Sequence, residues 1–147
     1  MSTKERVLKA HNAILNGSFA YFERRGLHEK TIRSAWIGVE KGSFLYPCIA
    51  KGGGLLAIHL KSNTRDAKDK RRQWWTDYAN DLPTKGHGKK PNDPAKVIPF
   101  GMETLRQHEP GSPVVLCCGE EDALSLRQAG YTAISQPGAG LLEPVYA

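Results

Sequence analysis

The sequence has few cysteines and no long hydrophobic run. Three cysteines among 147 residues form no paired pattern, which argues against a disulfide framework and predicts a reducing, cytoplasmic environment. No apolar stretch approaches the roughly 18 residues that a membrane span needs. The amino-terminal residues also lack the apolar core of a signal peptide. The sequence therefore predicts an ordinary globular protein without a membrane partner.

Charge is unevenly distributed along the chain, whose net charge is +6. Ten lysines and arginines and only five aspartates lie between Lys61 and Lys96. Aromatic side chains are interleaved with them, a combination that suits a polyanion with stackable bases. The candidate nucleic-acid-binding residues are Arg71, Arg72, Trp74, Trp75, Lys85, His87, Lys89 and Lys90. The alternative is a solvated loop in which the tryptophans anchor the segment to the core.

The amino-terminal forty residues are typical of helices, with Ser18 as a cap, Gly26 as a stop, and Leu27 and Ile32 facing inward. Three β-rich runs then follow at 35–40, 43–50 and 55–61, separated by glycine turns, and predict an antiparallel meander. Pro47 within the second run indicates an edge position or a bulge. No period holds from 62 to 96, which predicts a long loop or insertion.

The carboxyl-terminal part is predicted to be a strand, a helix and a second, parallel strand. The run 114–118 is continuously apolar, as in a strand buried on both faces. Acidic residues open the helix and Gly130 ends it. The predicted fold class is α+β, with residues 1–110 forming a basic subdomain and residues 111–147 starting an α/β domain. Ligands of such sheets bind at the carboxyl ends of the strands.

The acidic turn after the apolar run has two interpretations. Glu120 and Asp122 could hold Mg²⁺, since magnesium prefers oxygen ligands and takes one or two carboxylates plus phosphate oxygens and water. Alternatively, Glu120, Glu121 and Asp122 complement the dipole of the helix that they open. The local sequence leaves both interpretations open.

A family resemblance bears on this choice. Residues 114–140 resemble the opening half of a TOPRIM domain, the metal-binding fold of DnaG-type primases and of type IA and type II topoisomerases. That family's motif is a strand ending in Glu-Gly, then Asp, a helix and a strand; Gly119 matches the glycine and Asp122 the aspartate. Residues 18–61 are similar to the basic subdomain that precedes TOPRIM in these primases. The resemblance implies a primase or primase–helicase of phages or mobile elements.

The resemblance implies a nucleotidyltransferase that makes primers from nucleoside triphosphates on single-stranded DNA, with Mg²⁺ and a replicative helicase as partner. Three departures from the family pattern are present. Cys118 stands at the position of the family's glutamate, the later Asp-x-Asp motif is missing, and no Cys/His zinc ribbon precedes the basic subdomain. We therefore expect the chain to be an incomplete fragment, inactive alone, with weak or absent magnesium binding.

Two other functions are compatible with the residues. The first is a non-catalytic single-stranded nucleic-acid-binding module with a degenerate TOPRIM site. The second is a cysteine-nucleophile enzyme, in which Cys118 lies exposed beside a helix start and His59, His87 or His108 acts as the base. Because neighbours on a strand face opposite sides, Cys117 is expected to be the more buried of the two cysteines.

Overall fold

The computed structural model describes residues 1–17, 19–65, 72–78 and 98–136; of residues 64, 65 and 72–78 it describes only the backbone, Thr76 excepted. Within these residues the chain is a mixed α+β structure. Its elements are, in chain order, α1 Thr3–Leu15, α2 Ala20–Glu23, α3 Glu29–Ser34, β1 Gly38–Glu40, β2 Ser43–Ile49, β3 Leu55–Arg65, β4 Arg72–Tyr78, a 3₁₀ helix Met102–Gln107, β5 Val114–Cys117, α4 Glu120–Gln128 and β6 Thr132–Ser135.

The helices of the amino-terminal part begin and end where local chemistry favours it. Ser2 and Glu5 form a reciprocal capping box at the start of α1, which satisfies two backbone N–H groups. Gly26, predicted as a stop, follows α2 with φ of +73°. Leu27 and Ile32 are buried, as predicted. The predicted cap at Ser18 lies outside the described residues.

The predicted antiparallel meander is confirmed, with strand order β1-β2-β3-β4. In its centre, Tyr46 of β2 lies opposite His59 of β3. Pro47 occupies a position that tolerates a missing N–H, because the pairing with β1 ends at Leu45 and a register shift follows after Cys48. On the side of β2 that faces β1, Pro47 therefore lies beyond the end of the pairing, which is equivalent to an edge position.

For residues 62–96 the prediction of a long loop is wrong at 62–65 and 72–78, where the chain forms strands, whereas the alternative of a partly ordered insertion is compatible with them. β3 continues to Arg65 and β4, Arg72–Tyr78, adds a fourth strand to the sheet. β3 has 11 residues and is longer than β2. The aromatic, β-prone run of β4 pairs with the edge of β3 that β2 leaves free. Charged residues in this segment concealed the strand from an analysis of hydrophobic periodicity. Residues 79–97 lie outside the described part of the chain.

The carboxyl-terminal part is a β5–α4–β6 unit with two parallel strands, as predicted. The prediction that the run from Val114 is buried on both faces is wrong, because burial alternates and Val114 and Leu116 are 37% and 47% exposed. Phe100 forms an isolated antiparallel bridge with Ser135, in which the two residues exchange backbone hydrogen bonds of 2.9 Å. Helix α4 packs against β5 and β6 and covers one face of the pair.

One hydrophobic cluster joins the helices, the meander and the β5–α4–β6 unit. It contains Phe22 of α2, Tyr46 of β2 and Leu124 of α4, each buried. A smaller cluster lies between α1 and the other face of the sheet, around Val7, Leu45 and Leu60. The core therefore crosses the predicted boundary at 110/111, which itself stays a prediction.

Among the described residues, no helix combines the length and hydrophobicity that crossing a bilayer requires.

Candidate functional site

The candidate site lies where β5 ends and α4 begins, facing the meander. Gly119 precedes the helix in an extended conformation, and three acidic residues fill the first turn. Their environments differ: Glu120 is buried, Glu121 is partly buried and Asp122 is exposed. The three acids look equivalent in the sequence but therefore differ in how much of each side chain solvent can reach.

Glu120 forms a buried ion pair with a histidine of the sheet. Its Oε1 lies 2.8 Å from Nδ1 of His59, and its Oε2 lies 3.8 Å from Nζ of Lys61. Burial alone would raise the pKa of Glu120, but the hydrogen bond and charge of His59 outweigh it and hold that pKa at about 2. Burial likewise opposes protonation of His59, whereas Cys48 and Glu120 raise its pKa to about 10. The pair is therefore ionised at neutral pH.

Glu121 is held by hydroxyl groups and a guanidinium. Its Oε1 accepts hydrogen bonds from Tyr21 at 2.8 Å and from Tyr46 at 3.0 Å, and its Oε2 lies 2.9 Å from Nε of Arg25. Complete burial raises the pKa of Tyr46 well above its ordinary value, and the Glu121 carboxylate adds to this effect. Tyr46 therefore remains a hydrogen-bond donor at neutral pH.

The two glutamates consequently dock the start of α4 onto the sheet and onto α2. The interpretation of these acids as partners of the helix dipole is incomplete, because each glutamate also has specific partners from distant parts of the sequence. Glu120 is a poor fit for Mg²⁺, since its charge is already balanced and its oxygens face His59 and Lys61. Across the described ranges, no group of three or more histidine, cysteine, aspartate or glutamate side chains could hold a metal ion.

Asp122 and Cys118 flank residues 119–121 in the same turn. Both are exposed, and a Cβ placed on Gly119 would lie 3.4 Å from Oδ2 of Asp122. The expectation that Cys118 is more exposed than Cys117 is confirmed. Cys117 is half-buried, with its Sγ 3.5 Å from the carbonyl oxygen of Ile134, and burial raises the pKa of its thiol.

The described contacts give no base for a cysteine nucleophile. His59 is engaged with Glu120, and Nδ1 of His108 lies 3.0 Å from Oγ1 of Thr132. His87 lies outside the described residues. Among the described contacts, neither His59 nor His108 is placed against Cys118, so the arrangement does not favour this function.

The candidate nucleic-acid-binding residues fall partly on an edge strand. In the backbone register of β4, Arg72 pairs with Arg65, Trp74 with Lys61 and Trp75 with Leu60. β4 is the last strand of the sheet among the described residues. The remaining candidates lie outside the described part of the chain: Arg71, Lys85, His87, Lys89 and Lys90.

Sequence reasoning missed the partners of the two glutamates. His59 and Lys61 alternate with apolar residues along β3, and such alternation places them on one face of the strand. This signal could have identified a polar pair beneath a helix. The contributions of Tyr21, Arg25 and Tyr46 depend on distant segments and had no local signal.

We expect Cys118→Glu to bind Mg²⁺ or Mn²⁺ more tightly than the unchanged protein. The new carboxylate would stand in the exposed turn near Asp122, and two close carboxylates favour cation binding. Because Cys118 is exposed, the melting temperature should change little. Calorimetric titration measures the metal affinity, with Cys118→Gln as the uncharged control of similar size. Equal metal affinity of the two variants would contradict the expectation.

Comparison with known proteins shows likeness at the level of fold. No family model matches the chain, and no curated protein does. The chain is similar to the E. coli primase catalytic core, with 14% identity, a TM-score of 0.62 and coverage of 92% of this chain and 53% of that one. It is also similar to the zinc-binding and RNA polymerase domains of the Aquifex aeolicus primase, with 15% identity, a TM-score of 0.64 and coverage of 96% and 42%.

A third similar structure is a DnaG primase catalytic domain bound to single-stranded DNA, with 14% identity, a TM-score of 0.60 and coverage of 92% of this chain and 54% of that chain. The chain thus spans about half the length of these structures. Because the identities are low, the similarity concerns the fold alone. It shows that the described residues have the fold of part of a DnaG-type primase catalytic core.

Proposed function

We propose that this chain is a primase-like protein that binds single-stranded DNA, and that it corresponds to part of the RNA polymerase region of a DnaG-type primase. The observation that carries the proposal is the fold similarity, which extends over 92% of the chain and includes a domain bound to single-stranded DNA. A phage or mobile-element origin, a cytoplasmic location and a replicative helicase as partner belong to the same proposal.

The proposed DNA-binding surface centres on β4 and the basic residues that flank it in the sequence. The net charge of +6 and the cluster between Lys61 and Lys96 provide a sequence-independent attraction for phosphates. Trp74 or Trp75 supplies the stacking contact that single-stranded bases accept. Among the described residues β4 is the last strand of the sheet, and its backbone is positioned by antiparallel pairing with β3.

Primer synthesis is proposed to require residues that this chain does not contain. Nucleotidyl transfer with Mg²⁺ needs carboxylates that are free to bind the ion, and the ion then supplies a clamp for the attacking and leaving oxygens. Here Cys118 replaces the carboxylate expected from the TOPRIM resemblance, and Glu120 is paired with His59. The engagement of Glu120 favours the second candidate, a non-catalytic DNA-binding module. Template-directed incorporation of labelled nucleotides by the purified chain with magnesium would contradict it.

We expect the chain to bind a single-stranded oligonucleotide with an affinity that falls as salt rises. Each phosphate contact should contribute ~0.7 to the slope of log affinity against log salt. Arg72→Gln should therefore reduce the slope by about 0.7, and neutralising Arg71, Arg72, Lys85, Lys89 and Lys90 together should reduce it by up to about 3.5. Fluorescence anisotropy measures both quantities.

Lys51→Gln is the control for these variants, since Lys51 is exposed in the turn between β2 and β3. It should leave the slope unchanged. Affinity that is independent of salt in the unchanged protein would overturn the proposed function.

A further inference from the structure

Trp36 has a backbone conformation that ordinarily selects glycine. It follows α3 with φ of +57°, in the left-handed region that is unfavourable for bulky side chains. Its N–H donates to the carbonyl of Arg33 at 3.1 Å, and the N–H of Ile37 donates to that of Ile32 at 3.2 Å. This pattern closes the helix and usually has glycine at the position of Trp36. Backbone chemistry alone therefore does not account for a tryptophan here.

The indole is supported on one side and open elsewhere. Its ring centroid lies 4.8 Å from that of His11, with an interplanar angle of 42°. Nδ1 of His11 lies 2.8 Å from the carbonyl oxygen of Ile37, which fixes the supporting ring. Trp36 is nevertheless 45% exposed. Residues with strained backbone conformations cluster at sites where a protein contacts a ligand.

Close packing of α1 against β1 holds the supporting side chain of His11 in place. A Cβ on Gly38 would lie 2.6 Å from the backbone carbon of Ala10, so α1 rests directly on the start of β1. This approach brings His11 against Trp36. The supporting histidine is itself buried, with 6% exposure.

The helix that carries His11 has apolar and basic side chains along the stripe that ends at His11. Lys4, Leu8 and His11 share one stripe of α1, because residues four and three apart are neighbours on a helix, and Leu8 is 50% exposed. Lys4 is also exposed on this stripe, so the helix that supports Trp36 presents both apolar and basic side chains to solvent.

We propose that Trp36 is a stacking platform for a base of single-stranded DNA, separate from the segment 71–90. The inference rests on the proposed function and extends it to a second contact. An open aromatic face on a chain with a net charge of +6 suits an unpaired base and its phosphates. The net charge of +6 and the exposed Lys4 on the supporting helix favour this occupant over an apolar protein segment, which would gain nothing from positive charge.

The test measures binding of a labelled oligothymidine by Trp36→Gly, Trp36→Asn and Trp36→Phe. Gly and Asn accept the left-handed backbone but remove the ring, and each should weaken binding by about 5- to 150-fold, the equivalent of ~1–3 kcal/mol per stacked base. Phe keeps a ring and should stay within about threefold of the unchanged protein. If one variant fails to melt cooperatively, the other ring-deleting variant decides.

Two controls distinguish stacking from other effects. Tyr131→Asn removes a comparably exposed aromatic, 53% exposed, and should leave affinity unchanged. With an abasic oligonucleotide of the same length, Trp36→Gly and the unchanged protein should bind equally. If the unchanged protein binds oligothymidine but the ring-deleting variants bind equally well, the Trp36 platform is wrong and the proposed function stands. If the unchanged protein shows no binding, both are overturned.

Discussion

Replacing His59 by alanine should destabilise the fold by about 3–5 kcal/mol, the range for breaking a buried ion pair. The substitution leaves the Glu120 carboxylate buried, with Lys61 at 3.8 Å as its remaining cationic partner among the described residues. The side chains of His59 and Glu120 are only 3% and 9% exposed, so bulk solvent gives the carboxylate little compensation for the lost partner. Urea denaturation followed by circular dichroism measures the free energy of unfolding.

His59→Ala should also change how the free energy of unfolding depends on pH, because it removes the contribution of the His59–Glu120 pair. The pKa of Glu120 is lowered from 4.5 to about 2, so its stabilising contribution is present above pH 4.5 and is lost as the pH falls towards 2. The pKa of His59 is raised from 6.5 to about 10, so its contribution is complete below pH 6.5 and is lost as the pH rises towards 10. The pair should stabilise the fold most between pH 4.5 and 6.5.

Glu29→Ala provides the control for His59→Ala. Glu29 and Arg33 form an ion pair on α3 whose side chains are 49% and 45% exposed, and such exposed pairs contribute about 0–1 kcal/mol. The control should therefore lose little stability and keep the pH profile of the unchanged protein. A His59→Ala protein as stable as the control, with an unaltered pH profile, would show that the buried pair does not dock α4.

Gly101→Ala should destabilise the protein by about 3 kcal/mol through two additive causes. Gly101 has φ of +95°, where an alanine is strained by about 1–2 kcal/mol. The new Cβ would also lie 2.6 Å from the carbonyl oxygen of Ala133 in β6, and overpacking of this kind costs about 1–3 kcal/mol. Since this backbone contact cannot move without shifting β6, the loss should be large.

Gly130→Ala isolates the backbone-strain part of that loss. Gly130 has the same φ of +95°, but a Cβ there would meet nothing within 4 Å. Only the backbone strain should remain, about 1–2 kcal/mol. The difference in free energy of unfolding between the two variants measures the contact of Gly101 with β6. Equal losses would mean that the chain near residue 101 adjusts without cost.

Features that depend on neighbouring residues were predictable from the sequence. The helix stops at Gly26 and Gly130, the antiparallel meander and the parallel β–α–β unit all arise from glycine chemistry and periods of 2 and 3.6 residues. The exposure of Cys118 relative to Cys117 was predictable for the same reason, since adjacent strand residues face opposite sides. The resemblance of the segment around Gly119 and Asp122 led to a primase-type fold, which the structural comparisons support.

Features that depend on tertiary contacts were decided only by the structure. The strand β4 was hidden because its stability comes from pairing with β3, and Val114 and Leu116 are exposed because α4 covers one face of the short sheet. Above all, Glu120 and Asp122 are equivalent acids in the sequence but differ in the fold. Glu120 meets His59, 61 residues away along the chain, and burial makes that pairing strong, whereas Asp122 remains exposed. Local sequence determines that a carboxylate is present, and tertiary packing determines whether its charge is free.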